Sequence, residues 1–249
     1  MKDKINMKLI ILFLTAMLGS CSSLKTSYKA DANISQNSIT IDSVFVLDSI
    51  IVKEHLFKDL SYTHNFKITF FGLFKNGEEK EEEHYWEIII YDKEMNVVDS
   101  IHQPIYWFYA ESIDLNSYRS YITGINKDEQ AFDNYYGDFI VADFNFDSKN
   151  DFAIINSMGG NGGPLYSYYI QQDDGKFVLD TFLTNSMIFF PTKIDSKNRR
   201  LTTYVHAGVC WIGEHIYKLN KTNKWKEIRR RIIDVCEKQT QNKSKKYKQ

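Results

Sequence analysis

Nine residues in the second half of the chain place oxygen-bearing groups at alternate positions, which is the spacing that a calcium-binding loop needs. Asp143, Asn145 and Asp147 occupy positions 1, 3 and 5, the main-chain carbonyl of Lys149 occupies position 7, and Asp151 occupies position 9. Calcium takes about six to eight oxygen ligands from carboxylates, amides and carbonyls. The sequence therefore predicts a calcium site here, and the alternative is a solvated turn rich in Asp and Asn.

This loop matches only the first nine positions of an EF-hand, because Ile154 stands where position 12 needs a glutamate. Phe144 and Phe146 alternate with the predicted ligands and should anchor the loop in a core. The apolar run 152–155 begins directly after the loop, so we expect a strand there.

A glycine-rich segment follows that strand, with four glycines among residues 159–163. Glycine permits backbone conformations that other residues avoid, and Pro164 then fixes the exit from the segment. No Lys-Ser/Thr pair follows and the glycines do not open a helix, which excludes a P-loop and a dinucleotide fingerprint. The segment is either a wide connection between strands or a loop that presents Asn161 or Tyr166 to a partner.

The N-terminus has the composition of a bacterial export signal. Three lysines precede the apolar run 9–14, and Leu18-Gly19-Ser20-Cys21 follows it. This pattern resembles a lipoprotein lipobox, which predicts a signal peptide over residues 1–20, lipidation of Cys21 and a tether over residues 21–38. The protein would then be lipid-anchored in the cell envelope, on the periplasmic or surface side of an outer membrane. The alternative is a plain signal peptide with an incidental cysteine.

The charge distribution argues against a nucleic-acid partner. The chain carries 31 basic and 32 acidic residues, for a formal net charge of −1. Without residues 1–20 the charge becomes −3, which divides into −7 for residues 21–236 and +4 for residues 237–249. A mildly acidic body lacks the basic stripe that nucleic-acid binding needs, and the Lys-rich tail is typical of disorder.

Two cysteines remain after Cys21. In an exported protein, Cys210 and Cys236 are expected to form a disulfide, and the alternative is two buried free thiols. Neither cysteine has a C-x-x-C partner or a histidine at zinc spacing, which argues against a metal role.

The remaining pattern predicts one mainly β domain over residues 39–236, an antiparallel, sandwich-like fold. Ten runs rich in aromatic and β-branched residues alternate with turn residues, at 44–52, 66–74, 85–91, 118–125, 139–142, 152–156, 166–171, 177–183, 201–206 and 214–219. Asn76-Gly77 and Asp174-Gly175 are hairpin signals. The last apolar residues, from Trp225 to Val235, have nearly helical spacing, so this segment is either a strand or a strand that passes into a short helix.

The segment from Tyr136 to Leu183 resembles a family of bacterial envelope proteins that carry one FG-GAP-like calcium loop and include lysozyme-inhibitor-like immunity proteins. The resemblance rests on Gly137-Asp138-Phe139, the loop Asp143–Asp151, the segment Gly159–Tyr166 and Asp174-Gly175-Lys176-Phe177. It implies that calcium is structural and that the glycine-rich loop enters the cleft of a peptidoglycan-cleaving enzyme. Gly160, Gly162, Gly163 and Tyr166 would be the matching positions.

The chain departs from that family at two positions. Ser148 stands where the calcium loop usually has glycine, and Leu165 adds a residue before the tyrosine. The second departure leaves open whether Tyr166 or Tyr168 is presented to the partner.

Sequence motifs for catalysis are scarce. The six histidines form no H-E-x-x-H pair, and no G-x-S-x-G motif occurs. A pair of carboxylates for glycoside hydrolysis stays open, because the separation of two side chains cannot be read from sequence. We therefore expect a non-enzymatic, calcium-stabilised binding protein that inhibits, or gives immunity to, a lysozyme-like hydrolase. The alternative is a surface lipoprotein that binds carbohydrate or peptidoglycan through the same loop.

Overall fold

The computed structural model describes residues 49–80, 83–106, 113 and 115–237. The predicted signal peptide, Cys21, the tether 21–38, the first residues of the β domain at 39–48 and the tail from residue 238 lie outside the described residues. No helix among the described residues has the length and apolar character needed to span a membrane.

The first sheet contains five strands built on apolar alternation. In its central hairpin, Trp86, Ile88 and Ile90 are fully buried while their neighbours are half-buried, as period-2 alternation requires. Asn76 and Gly77 both have positive φ, at 54° and 76°, and form the expected tight turn. The strand order is β1-β2-β4-β5, with β3 also paired to β2. The strands are β1 (Ser49–Phe57), β2 (Asn65–Lys75), β3 (Glu78–Glu79), β4 (Tyr85–Tyr91) and β5 (Val97–Pro104).

The second sheet has the order β10-β9-β8-β7-β6 and carries both loops singled out by the sequence. Its strands are β6 (Tyr118–Ser120), β7 (Phe139–Ala142), β8 (Asp151–Met158), β9 (Pro164–Gln171) and β10 (Phe177–Leu179). Strands β6 and β7 run parallel, the one parallel pair among the described strands. The others pair with antiparallel neighbours, as expected.

The third sheet is an antiparallel array in chain order, β11-β12-β13-β14. Its strands are β11 (Lys193–Asp195), β12 (Arg200–His206), β13 (Trp211–Leu219) and β14 (Trp225–Asp234). Strand β14 pairs along the whole of β13, from Leu219 opposite Trp225 to Trp211 opposite Asp234.

Aromatic side chains join the first and second sheets face to face. The Phe66 ring from β2 lies 5.2 Å from the Phe139 ring of β7 and 5.7 Å from the Phe152 ring of β8. The Trp86 indole N–H donates to the main-chain carbonyl of Ile155 at 2.9 Å, which satisfies a polar group inside the core. This packing confirms the mainly β, sandwich-like prediction.

Two predicted strands are shorter than expected, and a polar side chain ends each of them. The Ser120 hydroxyl accepts from the amides of Ile122 and Thr123, which turns the chain out of β6. The Asp180 carboxylate accepts from the amides of Phe182 and Leu183 and starts a helical turn after β10.

The C-terminal segment is a strand that passes into a short helical turn. Strand β14 ends at Asp234, whose carboxylate caps the amides of Cys236 and Glu237 in the turn 235–237. Cys236 also forms the predicted disulfide with Cys210, across a sequence separation of 26 residues. A loop of that length gives a stabilisation of about 3–4 kcal/mol on the chain-entropy account.

Candidate functional site

The predicted calcium loop is the turn between β7 and β8. These strands pair until Ala142 lies opposite Asp151, so the eight residues 143–150 form the connection. Phe144 is fully buried and meets the Tyr168 ring edge-on at 5.1 Å, and the half-buried Phe146 lies 6.0 Å from the Trp225 ring. The two aromatic residues anchor the loop, as its alternation predicted.

Asp143, Asn145 and Asp147 face one another within this turn. The Asp147 amide donates to the Asp143 carboxylate and to the side-chain oxygen of Asn145, at 3.0 Å each. The Asn145 side-chain amide donates to the Asp147 carboxylate at 2.9 Å. Burial is the main cause that raises the pKa of Asp143, and the nearby charge of Asp147 raises it further. Two carboxylates held this close would be stabilised by a cation between them.

The loop backbone takes the conformation for which glycine is usually needed. Ser148 has a φ of 69°, and its amide donates to the Asp143 carboxylate at 2.9 Å. A left-handed residue other than glycine costs about 1 kcal/mol or more. Serine at this position therefore preserves the turn at a modest cost in stability.

Asp151, the first residue of β8, fixes the end of the loop through hydrogen bonds to its backbone. Its side chain is fully buried, and one carboxylate oxygen accepts from the Phe144 amide at 2.8 Å and the Asn145 amide at 3.3 Å. The other oxygen accepts from the Gln171 amide at 3.0 Å. Burial raises the pKa of Asp151 to about 8, although these amide hydrogen bonds act in the opposite direction. An ionised Asp151 is therefore poorly compensated by the protein alone.

Lys149 takes part in the site through its amide and its ammonium group. Its amide donates to the Asp147 carboxylate at 2.9 Å, and its ammonium lies 2.5 Å from Asp173 and 3.8 Å from Asp147. The role predicted for its main-chain carbonyl, as a calcium ligand, stays a prediction.

The donor set of this loop fits calcium. Asp143, Asn145 and Asp147 offer hard oxygen ligands within one turn, and the buried Asp151 carboxylate needs compensating charge. Within the described ranges, no group of three or more His, Cys, Asp or Glu side chains is arranged to hold a metal ion. The side-chain oxygens of Asp143, Asn145 and Asp147 accept from amides of the turn itself, so calcium binding by this loop stays a prediction. Bound calcium would neutralise the carboxylates and fix the turn.

The glycine-rich segment is the tip of the β8–β9 hairpin. Met158 lies opposite Pro164, and Gly160–Gly162 form a single 3₁₀ turn with a hydrogen bond from the Gly163 amide to the Gly160 carbonyl at 3.1 Å. The Gly159 amide donates to the Gly163 carbonyl at 2.8 Å and closes the loop. Gly163 has a φ of 93°, and a Cβ there would lie only 2.4 Å from the Asp133 carbonyl oxygen. Glycine is therefore required at this close approach.

Solvent reaches the apex of this tip and Met158 at the end of β8, which is 38% exposed. Gly160 and Asn161 are exposed, whereas Gly162, Gly163 and Tyr166 are buried. The Tyr166 hydroxyl donates to the Gly137 carbonyl at 3.0 Å, and burial raises its pKa well above the usual range. These positions correct the expectation that Gly162, Gly163 and Tyr166 present a surface to a partner.

Tyr168 is no better exposed. It is fully buried, and its hydroxyl donates to the Phe189 carbonyl at 2.8 Å. The two tyrosines lie on one face of β9, but Ser167 and Tyr169 on the other face are buried as well. Because the strand is buried on both faces, alternation in the sequence does not by itself identify the burial of Tyr166.

One residue that holds the tip lies outside the predicted set. The Asn134 side-chain amide donates to the Gly162 carbonyl at 3.0 Å, and Asn134 has a φ of 60°. The Asp133-Asn134 pair is a turn signal, but its contact with the tip depends on long-range folding that no local pattern reveals.

Comparison with known proteins adds only a distant likeness. No family model matches the chain, and no curated protein matches it. A solved structure described as "Structure of a Xanthomonas Type IV Secretion System related protein" is 18% identical, with a TM-score of 0.44, over 76% of this chain and 78% of that chain. A likeness this weak carries no argument about function.

Proposed function

We propose that the protein is a calcium-stabilised, non-enzymatic binding domain, anchored by lipid in the bacterial envelope, that inhibits a lysozyme-like hydrolase. The observation that carries the proposal is the hairpin tip, where Gly160 and Asn161 are exposed at the apex of buried structure. The anchor rests on the lipobox-like sequence at Cys21.

The tip presents one polar side chain. Asn161 lies between Gly160 and Gly162, and Met158 is exposed beside the turn at the end of β8. The hydrogen bond from Asn134 and the buried Tyr166 hold the turn from below. Such a preorganised tip loses little conformational entropy when it enters a cleft.

Calcium acts at the opposite end of the same hairpin. Asp151 begins β8 and Gln171 ends β9, and the two are joined through the Asp151 carboxylate. The tip lies where β8 ends and β9 begins. Calcium bound in the loop would therefore hold the base of the hairpin whose apex contacts the partner.

The chemistry of Asn161 suits a glycoside hydrolase cleft. Such enzymes usually cleave between two carboxyl groups, one of which is protonated. A side-chain amide can donate to a carboxylate and accept from a carboxylic acid. Asn161 could therefore satisfy both groups without adding charge to the cleft.

Replacement of Asn161 tests the proposal. We expect Asn161→Asp to weaken binding to a lysozyme more than about tenfold, because it sets a second negative charge against the ionised catalytic carboxylate. Asn161→Ala should weaken it less, and Asn96→Ala, in an exposed turn of the first sheet, should have no effect. Binding and inhibition are measured by calorimetry and by lysis assay with a panel of purified lysozymes.

The same panel includes purified peptidoglycan sacculi. Retention of the wild-type protein on sacculi, together with no affinity for any lysozyme, would contradict inhibition and favour the carbohydrate-binding alternative. If the Asn161 variants bind lysozyme as tightly as wild type does, the tip is not part of the binding site.

A further inference from the structure

A cleft of about 840 Å³ lies beside the calcium loop and is separate from the hairpin tip. The loop forms one side through Asn145 and Asp147, and the end of the third sheet forms another through Arg199 and Trp225. Sites for small molecules commonly have volumes of about 300–1,000 Å³. The cleft is therefore large enough for a ligand of several rings.

One wall of the cleft is aromatic. The rings of Phe182 and Trp225 are nearly parallel, with an interplanar angle of 14° and centroids 6.3 Å apart. Both side chains are only half-buried. Trp225 is fixed from another direction by Phe146 of the calcium loop, at 6.0 Å. The two fixed, half-buried rings together form an apolar platform in the lining of the cleft.

The polar part of the lining is preorganised around Arg199, which belongs to the same end of the third sheet as Trp225. Its guanidinium donates to the Asn223 side-chain oxygen at 2.9 Å and to the Asn220 carbonyl at 3.2 Å. A longer contact, 3.4 Å, reaches the Asn145 carbonyl of the calcium loop. These bonds fix the guanidinium of Arg199 in the lining of the cleft.

The charges along the cleft are balanced. Lys149 and Asp173 pair with each other at 2.5 Å, so neither offers a free charge. Three basic and three acidic residues line the cleft, namely Lys149, Arg199, Lys224, Asp147, Asp173 and Asp180. An anionic ligand would need an excess of positive charge. A neutral ligand with many hydroxyl groups fits better, because hydroxyls both donate and accept.

We propose that this cleft binds a neutral pyranose oligosaccharide. The C–H face of a sugar ring would lie on Trp225 and Phe182, and its hydroxyls would bond to Arg199 and Asn223. This site lies apart from Gly160 and Asn161, so it does not depend on the proposed inhibition of a hydrolase.

Calorimetric titration with chitotetraose and with maltotetraose tests the proposal, in EDTA, where the side-chain charges of the cleft balance. Saturable binding of at least one sugar to wild type is expected. Trp225→Ala should weaken it by about tenfold or more, since the platform is lost. Asn223→Gly should weaken it several-fold and still fold, because Asn223 has a φ of 53° that suits glycine.

Trp211→Ala is the matched control, since this tryptophan is 54% exposed and lies outside the cleft lining. It should bind like wild type. Absence of binding to both sugars would overturn the proposal. Unchanged affinity in both Trp225→Ala and Asn223→Gly would overturn it equally, because binding would then occur elsewhere.

Discussion

Tyr166→Ala should lower the free energy of unfolding by about 3–5 kcal/mol, as deletion of a large buried aromatic side chain does. The ring is fully buried and packs 5.7 Å from the Phe190 ring and 6.5 Å from the Tyr168 ring. Its hydroxyl also bonds to the Gly137 carbonyl, so the alanine variant leaves both a cavity and an unpaired acceptor. Chemical denaturation measures the loss.

Tyr166→Phe separates the two contributions. It keeps the ring and removes only the hydroxyl, so we expect a loss of about 1 kcal/mol. If Tyr166→Ala unfolds like wild type and instead loses affinity for a lysozyme, the side chain is presented to the partner after all, and its burial in the core is contradicted.

Without calcium, the folded protein should become less stable as the pH rises from about 4 to about 8. The folded state lifts the pKa of Asp151 from 3.8 to about 8, so in this window it retains a proton that the unfolded chain has released. Stability falls with pH wherever the folded state binds more protons. At about 1.4 kcal/mol per pKa unit, the full loss across the window is roughly 5 kcal/mol.

Asp151→Asn isolates this effect, because asparagine does not ionise. Its side chain cannot accept all the hydrogen bonds that the main-chain amides of Phe144, Asn145 and Gln171 give to residue 151, and this deficit does not change with pH. In EDTA, the free energy of unfolding of wild type should therefore fall as the pH rises, while that of the variant should not. The difference between them then moves in favour of the variant. Parallel pH profiles for the two proteins would show that Asp151 titrates near its ordinary pKa.

Local pattern was sufficient to predict most of the β structure. The strand at 85–91 and the strand at 139–142 have the predicted bounds, because each is a short apolar run between turn residues. For the C-terminal segment, pairing between strands and not the local pattern determined the structure. Trp225, Ile228 and Ile232 have nearly helical spacing, yet β13 offers a full-length edge, and a bulge between Ile216 and Tyr217 adjusts the register.

The candidate site was predictable where neighbours in sequence are neighbours in space. Asp143, Asn145 and Asp147 meet within one turn, so their spacing alone indicated the cluster. Arg199 and Trp225 reach the same loop from the third sheet, and no local signal connects residues that far apart in the chain. The supporting asparagine at 134 was missed for the same reason.

Equilibrium unfolding in calcium and in EDTA, at neutral pH, tests most directly whether the loop at 143–151 is a calcium site. We expect calcium at a hundredfold excess over Kd to raise the free energy of unfolding of wild type by roughly 2.7 kcal/mol. Asp147→Ala should lose most of this increment, whereas Asp173→Ala, which removes an exposed carboxylate outside the ligand set, should keep it. An unfolding free energy of wild type that is the same in calcium and in EDTA would contradict the calcium site.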